Sequence, residues 1–210
     1  MGGTQVPASA GVATFSSLIM GGSTSGSYAI TFSTTNSAIT VAQQTGITLT
    51  FGYGDHITLT TQPATGSGST HNATGADLAT QPVIEIRDRF DNVATSSTDT
   101  INVAITSGVG GSLSTSRIVG ESSIAAVAGV ATFGNIRLVG TPGTAYTLTF
   151  STGSLTAAVA NPLSVTYSSP HQLAISTQPV ANKTAVAFTT QPVIQVLDYY
   201  GNLVEIGRAS

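Results

Sequence analysis

Short runs of alternating apolar and polar residues recur along the whole chain. In the run Tyr146–Ser151, the apolar side chains of Tyr146, Leu148 and Phe150 are separated by Thr residues. An alternation with a period of two residues is typical of a β-strand that buries one face. The same pattern occurs at Ile57–Leu59, Ile101–Ile105, Val130–Phe133 and Leu173–Ile175. Because turn-forming clusters of Gly, Pro, Asn and Asp separate these runs, the pattern predicts an all-β, antiparallel β-sandwich.

Several stretches of the sequence occur twice, in the same order. Gly11–Phe15 matches Gly129–Phe133, and Tyr28–Thr34 matches Tyr146–Thr152, in both cases 118 residues apart. Two further pairs connect the middle of the chain with its end, namely His56–Pro63 with His171–Pro179 and Thr80–Ile86 with Thr190–Val196. Matched blocks in a constant order indicate a tandem repeat.

The order of these blocks predicts how the chain is divided. We expect residues 1–54 to be the C-terminal half of one repeat, 55–168 to be a complete unit, and 169–210 to be the N-terminal half of another. We therefore interpret the chain as a section of a longer array, and its first residues contain no recognisable secretion signal. The side chains predicted to face the core of the complete unit are Ile57, Leu59, Val83, Ile84, Ile86, Val103, Ile105, Val130, Phe133, Ile136, Leu138, Tyr146, Leu148, Phe150 and Val165.

Four motifs of the repeat resemble a known family. Val83–Val93 contains a strand followed by an Asp- and Asn-containing turn, and Val193–Val204 repeats it. Gly129–Leu138 and Gly143–Thr149 are the other two. These motifs are similar to the bacterial immunoglobulin-like repeats of invasin/intimin-type adhesins and other long surface proteins. The resemblance implies immunoglobulin-like sandwiches stacked end to end in an extracellular or cell-surface protein, with a structural or adhesive role.

The composition excludes several classes of function. Charged residues make up only 7% of the chain, the net charge is −3, and there is no Cys. The lack of Cys excludes disulfide scaffolds, thiolate metal sites and cysteine nucleophiles. Six scattered cations form no basic face for a phosphate backbone, so we expect no nucleic-acid partner. No apolar run reaches the ~18 residues of a membrane helix, and no cofactor is predicted.

The turn after the second strand of the unit contains the residues most able to bind a cation. Asp88 is predicted to lie at the edge of the core and to accept turn N–H groups, a role that its counterpart Asp198 would share. Asp91 corresponds to Gly201, which predicts a positive φ at this position. The alternative is a calcium site formed by Asp88, Asp91 and Asn92. Because Ca²⁺ prefers several carboxylates and only two are local, the sequence favours the structural role.

A hydrolase would have to draw its acid and base from the carboxylates of the middle unit. Glycoside hydrolysis requires two carboxyl groups at a defined separation. The candidates are Glu85, Asp91 and Glu121, and any pair that includes Glu121 depends on tertiary contacts that the sequence does not give. Glu85 and Asp91 correspond to Gln195 and Gly201, so the repeat itself requires neither carboxylate.

The histidines and tyrosines complete the set of candidates. His56 and His171 match each other near the predicted borders of the units, and His71 has no counterpart. Asp55 and His56 are adjacent, and we expect them to project apart. Tyr28 and Tyr146 stand where an immunoglobulin-like fold places a tyrosine corner. The tyrosines predicted to be exposed are Tyr53, Tyr199 and Tyr200.

These observations leave three functions, of which a structural or adhesive module is favoured. The alternatives are a carbohydrate-binding module that stacks tyrosines on a polysaccharide or cell-surface ligand, and a glycosidase-like hydrolase. We further expect the chain to self-associate through its two half units, because their unpaired strand edges are complementary.

Overall fold

The chain is built of β-strands. The computed structural model describes residues 5–66, 73–108 and 116–204, and within these ranges it contains no helix. The strands are β1 (Ser27–Phe32), β2 (Ala42–Thr48), β3 (His56–Thr61), β4 (Val83–Arg87), β5 (Thr100–Gly108), β6 (Arg117–Gly120), β7 (Ser123–Ala125), β8 (Val130–Thr132), β9 (Ile136–Val139), β10 (Ala145–Ser151), β11 (Ala158–Val159), β12 (Leu163–Ser164), β13 (Pro170–Thr177) and β14 (Val193–Asp198). Accordingly, none of the described residues form a helix with the length and apolar character that a membrane crossing requires.

All pairings between these strands are antiparallel. One sheet has the order β11-β10-β5-β7, with β12 also paired to β10, and a second has the order β3-β4-β8. The pairs β6-β9, β1-β2 and β13-β14 form two-stranded sheets. The predicted all-β, antiparallel class is confirmed, and the two larger sheets on one core are consistent with a β-sandwich.

Strand β4 illustrates how the alternation of residues determines burial. Ile84 and Ile86 are fully buried, whereas Glu85 and Arg87 lie on the opposite face. Asp88 continues the buried face beyond the end of the strand and is only 2% exposed. The strand therefore places a carboxylate at the edge of the core, as the alternation predicts.

The core is a single cluster that lies between residues 57 and 165. It is lined by both larger sheets and by β9, and its largest fully buried side chains are Tyr146, Phe133, Phe150, Ile84, Ile86, Ile101, Ile136, Leu138 and Leu148. Most of the predicted inward side chains belong to this cluster or pack against it.

The prediction of the core is wrong for two residues. Val83 is only partly buried, because it shares the outer face of β4 with Glu85. Val130 is also only partly buried, and its neighbour Ala131 is fully buried in its place. In both strands the residue next to the predicted one faces the core, because side chains alternate between the two faces of a strand.

The parts of the chain on either side of this core are more open. We refer to residues 5–54 as the N-terminal segment, 55–168 as the middle segment and 169–204 as the C-terminal segment. The outer two contain only the two-stranded sheets β1-β2 and β13-β14. Their exposed apolar side chains include Val12, Leu18, Leu173, Val193 and Ile194.

The N-terminal segment repeats a turn of the middle segment. Ala10 and Gly11 have φ values of 50° and 82°, and Ala128 and Gly129 have 51° and 79°. Each turn is closed by two backbone hydrogen bonds, between Ser9 and Val12 in the first case and between Val127 and Val130 in the second. The turns share the sequence Ala-Gly-Val and adopt the same local conformation in two different tertiary settings.

Two aromatic contacts are repeated as well. Phe15 and Phe32 have ring centroids 5.3 Å apart, and the equivalent Phe133 and Phe150 are 5.8 Å apart, with similar tilts. The hydroxyl of Tyr146 accepts a hydrogen bond from the N–H of the residue five positions earlier. Tyr28 donates to the carbonyl oxygen of the residue five positions before it. Both tyrosines therefore contact backbone a short distance upstream, in the manner of a tyrosine corner.

Candidate functional site

The turn after β4 is organised by the buried carboxylate of Asp88. Its Oδ1 accepts hydrogen bonds from the backbone N–H groups of Phe90, at 2.8 Å, and Asn92, at 3.0 Å. The side-chain Nδ2 of Asn92 lies 3.2 Å and 3.1 Å from the two carboxylate oxygens. The turn is thus held by a single acceptor group, which explains why a carboxylate is tolerated at the edge of the core.

The same carboxylate binds the stretch of chain that leads into the middle segment. The backbone N–H of Gly52 donates to Oδ2 of Asp88 at 2.8 Å. Asn92 adds two contacts with the N-terminal segment: its Nδ2 donates to the Gly22 carbonyl oxygen at 3.0 Å, and its Oδ1 accepts from the Thr24 N–H at 3.0 Å. We call this arrangement the first junction.

An equivalent arrangement, the second junction, is formed by Asp198. Its Oδ1 accepts hydrogen bonds from the N–H groups of Tyr200 and Asn202, each at 2.8 Å. Its Oδ2 accepts from Nδ2 of Asn202 and from the backbone N–H of Ser168, each at 3.0 Å. Ser168 stands in the stretch that leads into the C-terminal segment, as Gly52 does at the first junction. The two turns therefore contact their preceding linkers in the same way.

These hydrogen bonds control the protonation of both carboxyl groups. Burial alone would raise the pKa of Asp88, but the hydrogen bonds from Gly52, Asn92 and Phe90 outweigh it and lower that pKa to about 2. The pKa of Asp198 is lowered too, since the donors Asn202, Ser168 and Tyr200 likewise outweigh the effect of burial. Hydrogen bonds to the ionised form therefore dominate at both junctions.

An aromatic side chain reinforces each junction. The ring of Phe90 packs against Gly21, where a Cβ atom would collide with it. The equivalent Tyr200 packs against Gly75 in the same way, and the guanidinium of Arg117 lies 5.9 Å from its ring centroid. A side chain at either position would displace the ring, and the φ of 78° at Gly75 independently favours glycine there.

The turn after β4 contains all three residues of the predicted calcium site, Asp88, Asp91 and Asn92. Asp91 has a φ of 67° and Gly201 has 84°, so the predicted positive φ is confirmed. Both oxygens of Asp88 are occupied by N–H donors, and Asn92 presents its amide nitrogen to them. A Ca²⁺ ion takes six to eight oxygen ligands, and binding here would require these hydrogen bonds to be broken. The geometry of Asp88 is that of an acceptor for its own turn.

Two of the predicted catalytic carboxylates meet on the outer face of β4. Arg87 Nη2 lies 2.5 Å from Oε2 of Glu85, and Arg87 Nη1 lies 3.3 Å from Oδ1 of Asp91. Burial lowers the pKa of Arg87, but the two carboxylates outweigh this effect and raise it. Glu85 and Asp91 thus share one cation, and the side chain of Arg87 occupies the space between them.

The third predicted carboxylate lies in a different environment. Oε2 of Glu121 accepts hydrogen bonds from the N–H groups of Gly134, at 2.8 Å, and Asn135, at 3.2 Å. These residues form the turn between β8 and β9. The contacts described for Glu121 join it to this turn and do not include Glu85 or Asp91.

His56 lies beside the first junction and His171 beside the second. Nδ1 of His56 is 3.3 Å from Asp55 and its Nε2 is 3.5 Å from Asp91, so the expectation that Asp55 and His56 project apart is wrong. Alternation applies only within a strand, and Asp55 precedes the first residue of β3. The ring of His171 packs edge-on against Tyr199, with centroids 5.2 Å apart. His71 lies outside the described residues.

The predicted tyrosine platform is divided between the two junctions. Tyr53 is 98% exposed beside the first junction. Tyr199 is also exposed, and it contacts Tyr200 edge-to-face at 5.1 Å near the second junction. The three rings do not form one flat surface.

A cleft of about 420 Å³ opens at the first junction, between the N-terminal and middle segments. Apolar groups of Met20, Leu49 and Phe90 line it together with the exposed ring of Tyr53. Polar groups come from Asp55, Asp88, Arg89 and Asn92. Sequence reasoning missed this cleft, because its walls come from stretches far apart in the chain.

Comparison with known proteins yields few matches. No protein-family model and no curated protein matches this chain. Its similar solved structures include two of Parabacteroides merdae beta-glucuronidase, one of them with glycerol in the active site. Each is 14% identical with a TM-score of 0.37, and the alignment covers 60% of this chain and 14% of the enzyme chain. A TM-score this low establishes neither a shared fold nor a shared activity.

Proposed function

We propose that this chain is a section of a tandem array of immunoglobulin-like units with a structural or adhesive role, in an extracellular or cell-surface protein. The observation that carries the proposal is the repeated junction. At both junctions the buried aspartate accepts a hydrogen bond from the backbone of the preceding linker, from Gly52 in one case and Ser168 in the other. A hydrogen bond at an equivalent place in each linker sets the orientation of successive units.

A second feature supports a role in spacing. Each junction also contains an aromatic ring packed on a glycine of the preceding segment, Phe90 on Gly21 and Tyr200 on Gly75. Rings that fill the space between neighbouring segments limit bending at the linker. A series of such junctions would act as a stiff connector, which is the mechanical requirement for presenting a binding surface at a distance.

The proposal is tested by measuring how firmly one junction holds its neighbours. The chain has no Cys, so Ser122→Cys and Gln178→Cys introduce unique sites for two spin labels on either side of the second junction. We expect double electron–electron resonance to give a narrow distribution of distances between the two labels. The substitution Asp198→Asn should broaden this distribution. The matched control is Asp99→Asn, because Asp99 is exposed and the hydrogen bond described for its side chain is from nearby Ser97. A broad distribution in the parent chain would contradict a structural spacer.

Carbohydrate binding is a second candidate, favoured by the cleft at the first junction. An exposed tyrosine beside convergent polar groups is a common arrangement for holding a small polar ligand. Tyr53 supplies the ring, and Asp55 and Arg89 supply hydrogen-bonding groups. Binding of soluble polysaccharides, measured by affinity electrophoresis, should be lost in Tyr53→Ala and retained in Tyr199→Ala. Equal retention in both variants would exclude the cleft as the site.

A further inference from the structure

The C-terminal segment presents a sheet with an open edge and an open face. In the middle segment, β4 is a central strand that pairs with β3 on one side and β8 on the other. Within the described residues the equivalent β14 has β13 as its only partner strand, and on its other edge the turn that follows it bonds only the end of β14, from the Val204 N–H to the Val196 carbonyl oxygen at 2.9 Å. Ile194 is 50% exposed and Leu173 is 72% exposed, whereas their counterparts Ile84 and Ile57 are buried. Free strand edges of this kind readily accept another strand.

The N-terminal segment contains the sequence that covers this edge in the middle segment. There, β8 pairs with β4 so that Ala131 stands opposite Ile84. Gly11–Phe15 has the same sequence as Gly129–Phe133, the stretch that contains β8. In the described part of the chain, Val12–Thr14 pairs with no strand. Within the described ranges, a donor stretch and an acceptor edge are thus both present and not paired with each other or with another strand.

The donor stretch already has the conformation needed for docking. Its turn at Ala10 and Gly11 repeats the φ values of Ala128 and Gly129, and Phe15 already packs against Phe32. A stretch that is ordered before it binds loses less conformational entropy on association. The contact that Phe133 makes with Phe150 in the core of the middle segment is therefore already present in the N-terminal segment, between Phe15 and Phe32.

A glutamine side chain would add hydrogen bonds to this pairing. In the middle segment Gln81 bonds the backbone N–H of Ile136 at 2.9 Å and its carbonyl oxygen at 3.1 Å. The counterpart of Ile136 in the N-terminal segment is Leu18, which is exposed. The counterpart of Gln81 is Gln191, whose Nε2 keeps the equivalent local bond, to the Phe188 carbonyl oxygen.

We propose that residues 11–18 of one copy of this chain add as a strand to the free edge of β14 in a second copy. The register is that of the middle segment, with Ala13 opposite Ile194, Thr14 opposite Val193, and Leu18 bonded to Gln191. The pairing is a β-augmentation that also covers the apolar face of the acceptor sheet. The proposal rests on the repeat and concerns the chain of 210 residues, and its test is separate from the test of a spacer role.

A second copy is the occupant that the structure favours. The two outer segments contact the middle segment at separate junctions, and among the residues that the structure describes no strand pairing joins them to each other. Both junctions are formed while the two outer segments stay unpaired, so pairing within one chain would require these segments to rearrange. Pairing between chains keeps both junctions and produces a reciprocal dimer or a head-to-tail filament.

The proposal is tested first on the full chain by light scattering over a range of concentrations. We expect a mass of at least twice 21.1 kDa that falls on dilution. Ile194→Lys should reduce it to that of a single chain, because a lysine would have to be buried at the new interface. Val193→Lys is the matched control, since Val193 is equally exposed but lies on the other face. A parent chain that stays monomeric, or an equal loss in both variants, would overturn the proposal.

Cross-linking tests the register and stays informative if Ile194→Lys perturbs folding. Thr14→Cys chains mixed with Val193→Cys chains should form a disulfide-linked heterodimer on mild oxidation, because directly opposite residues lie within reach of a disulfide. Thr14→Cys with Gln195→Cys, two positions out of register, should cross-link far more slowly. Equal rates for the two mixtures would overturn the register. A double variant with Thr14→Cys and Val193→Cys that yields only cross-linked monomer would overturn pairing between copies.

Discussion

The backbone N–H of Gly52 lies 2.8 Å from Oδ2 of Asp88, and this bond joins a linker to a turn 36 residues later. The donor is exposed while the acceptor is almost fully buried. The Asp88 carboxylate therefore contributes to the fold of the middle segment and to the position of the segment before it.

The protonation of Asp88 should make stability fall in acid. Its pKa is about 2 in the folded chain, against an ordinary value of 3.8, so folding favours the ionised form. The resulting stability is present above about pH 4 and is lost as the pH falls toward 2, by an amount on the order of 2 kcal/mol. Asp198 shifts in the same direction. Urea unfolding at pH 6, 4, 3 and 2 measures the effect, and Asp88→Asn should flatten the profile whereas Asp99→Asn should not.

Replacing Phe150 should strongly destabilise the middle segment. Its ring is fully buried against Phe133 in the core, and Phe→Ala changes at such sites cost about 3–5 kcal/mol. Phe188→Ala serves as the control, because Phe188 is half-exposed in the C-terminal segment and its loss should cost less than about 1 kcal/mol. Chemical denaturation followed by circular dichroism compares the two. A cost below about 1 kcal/mol for Phe150→Ala would mean that β10 has the opposite register.

How much of this could be read from the sequence depends on the range of each interaction. The inward faces of β4 and β10 follow from alternation, and the positive φ of Asp91 follows from the glycine at its repeat position. The bond between Asp88 and Gly52 could not be predicted, because it depends on the path of the linker. The contact between Asp55 and His56 was missed for a related reason, since alternation does not extend beyond the end of a strand.

The backbone at Asp91 should determine which substitutions are tolerated there. Asp91 has a φ of 67°, a conformation that glycine adopts freely and β-branched residues adopt at a cost of about 1–2 kcal/mol. We expect Asp91→Gly to be close to the parent in thermal stability and Asp91→Val to be clearly less stable. Differential scanning calorimetry distinguishes them. Equal melting temperatures for the two variants would show that the turn relaxes without strain.

The carboxylates on the outer face of β4 should contribute little to stability. Glu85 is partly exposed in its pair with Arg87, and its repeat counterpart is Gln195, so Glu85→Gln should cost no more than about 1 kcal/mol. Because the variant should stay folded, a loss of activity in it would report on catalysis and not on unfolding. If the purified chain hydrolyses chromogenic glycosides, activity that survives Glu85→Gln, Asp91→Asn and Glu121→Gln would exclude these residues as its acid and base.

The middle segment should fold without its neighbours. Every residue of the buried cluster lies between positions 57 and 165, and the two larger sheets that line it are formed by this part of the chain alone. An isolated two-stranded sheet, by contrast, is marginal in water. Residues 55–168 expressed alone should therefore show one cooperative thermal transition with a β-type circular dichroism spectrum, while residues 169–210 alone should show none. The isolated middle segment should melt lower than the full chain, because it lacks the bond from Gly52 to Asp88. A disordered product from residues 55–168 would contradict the predicted boundaries and would mean that the outer segments are required for the core to form.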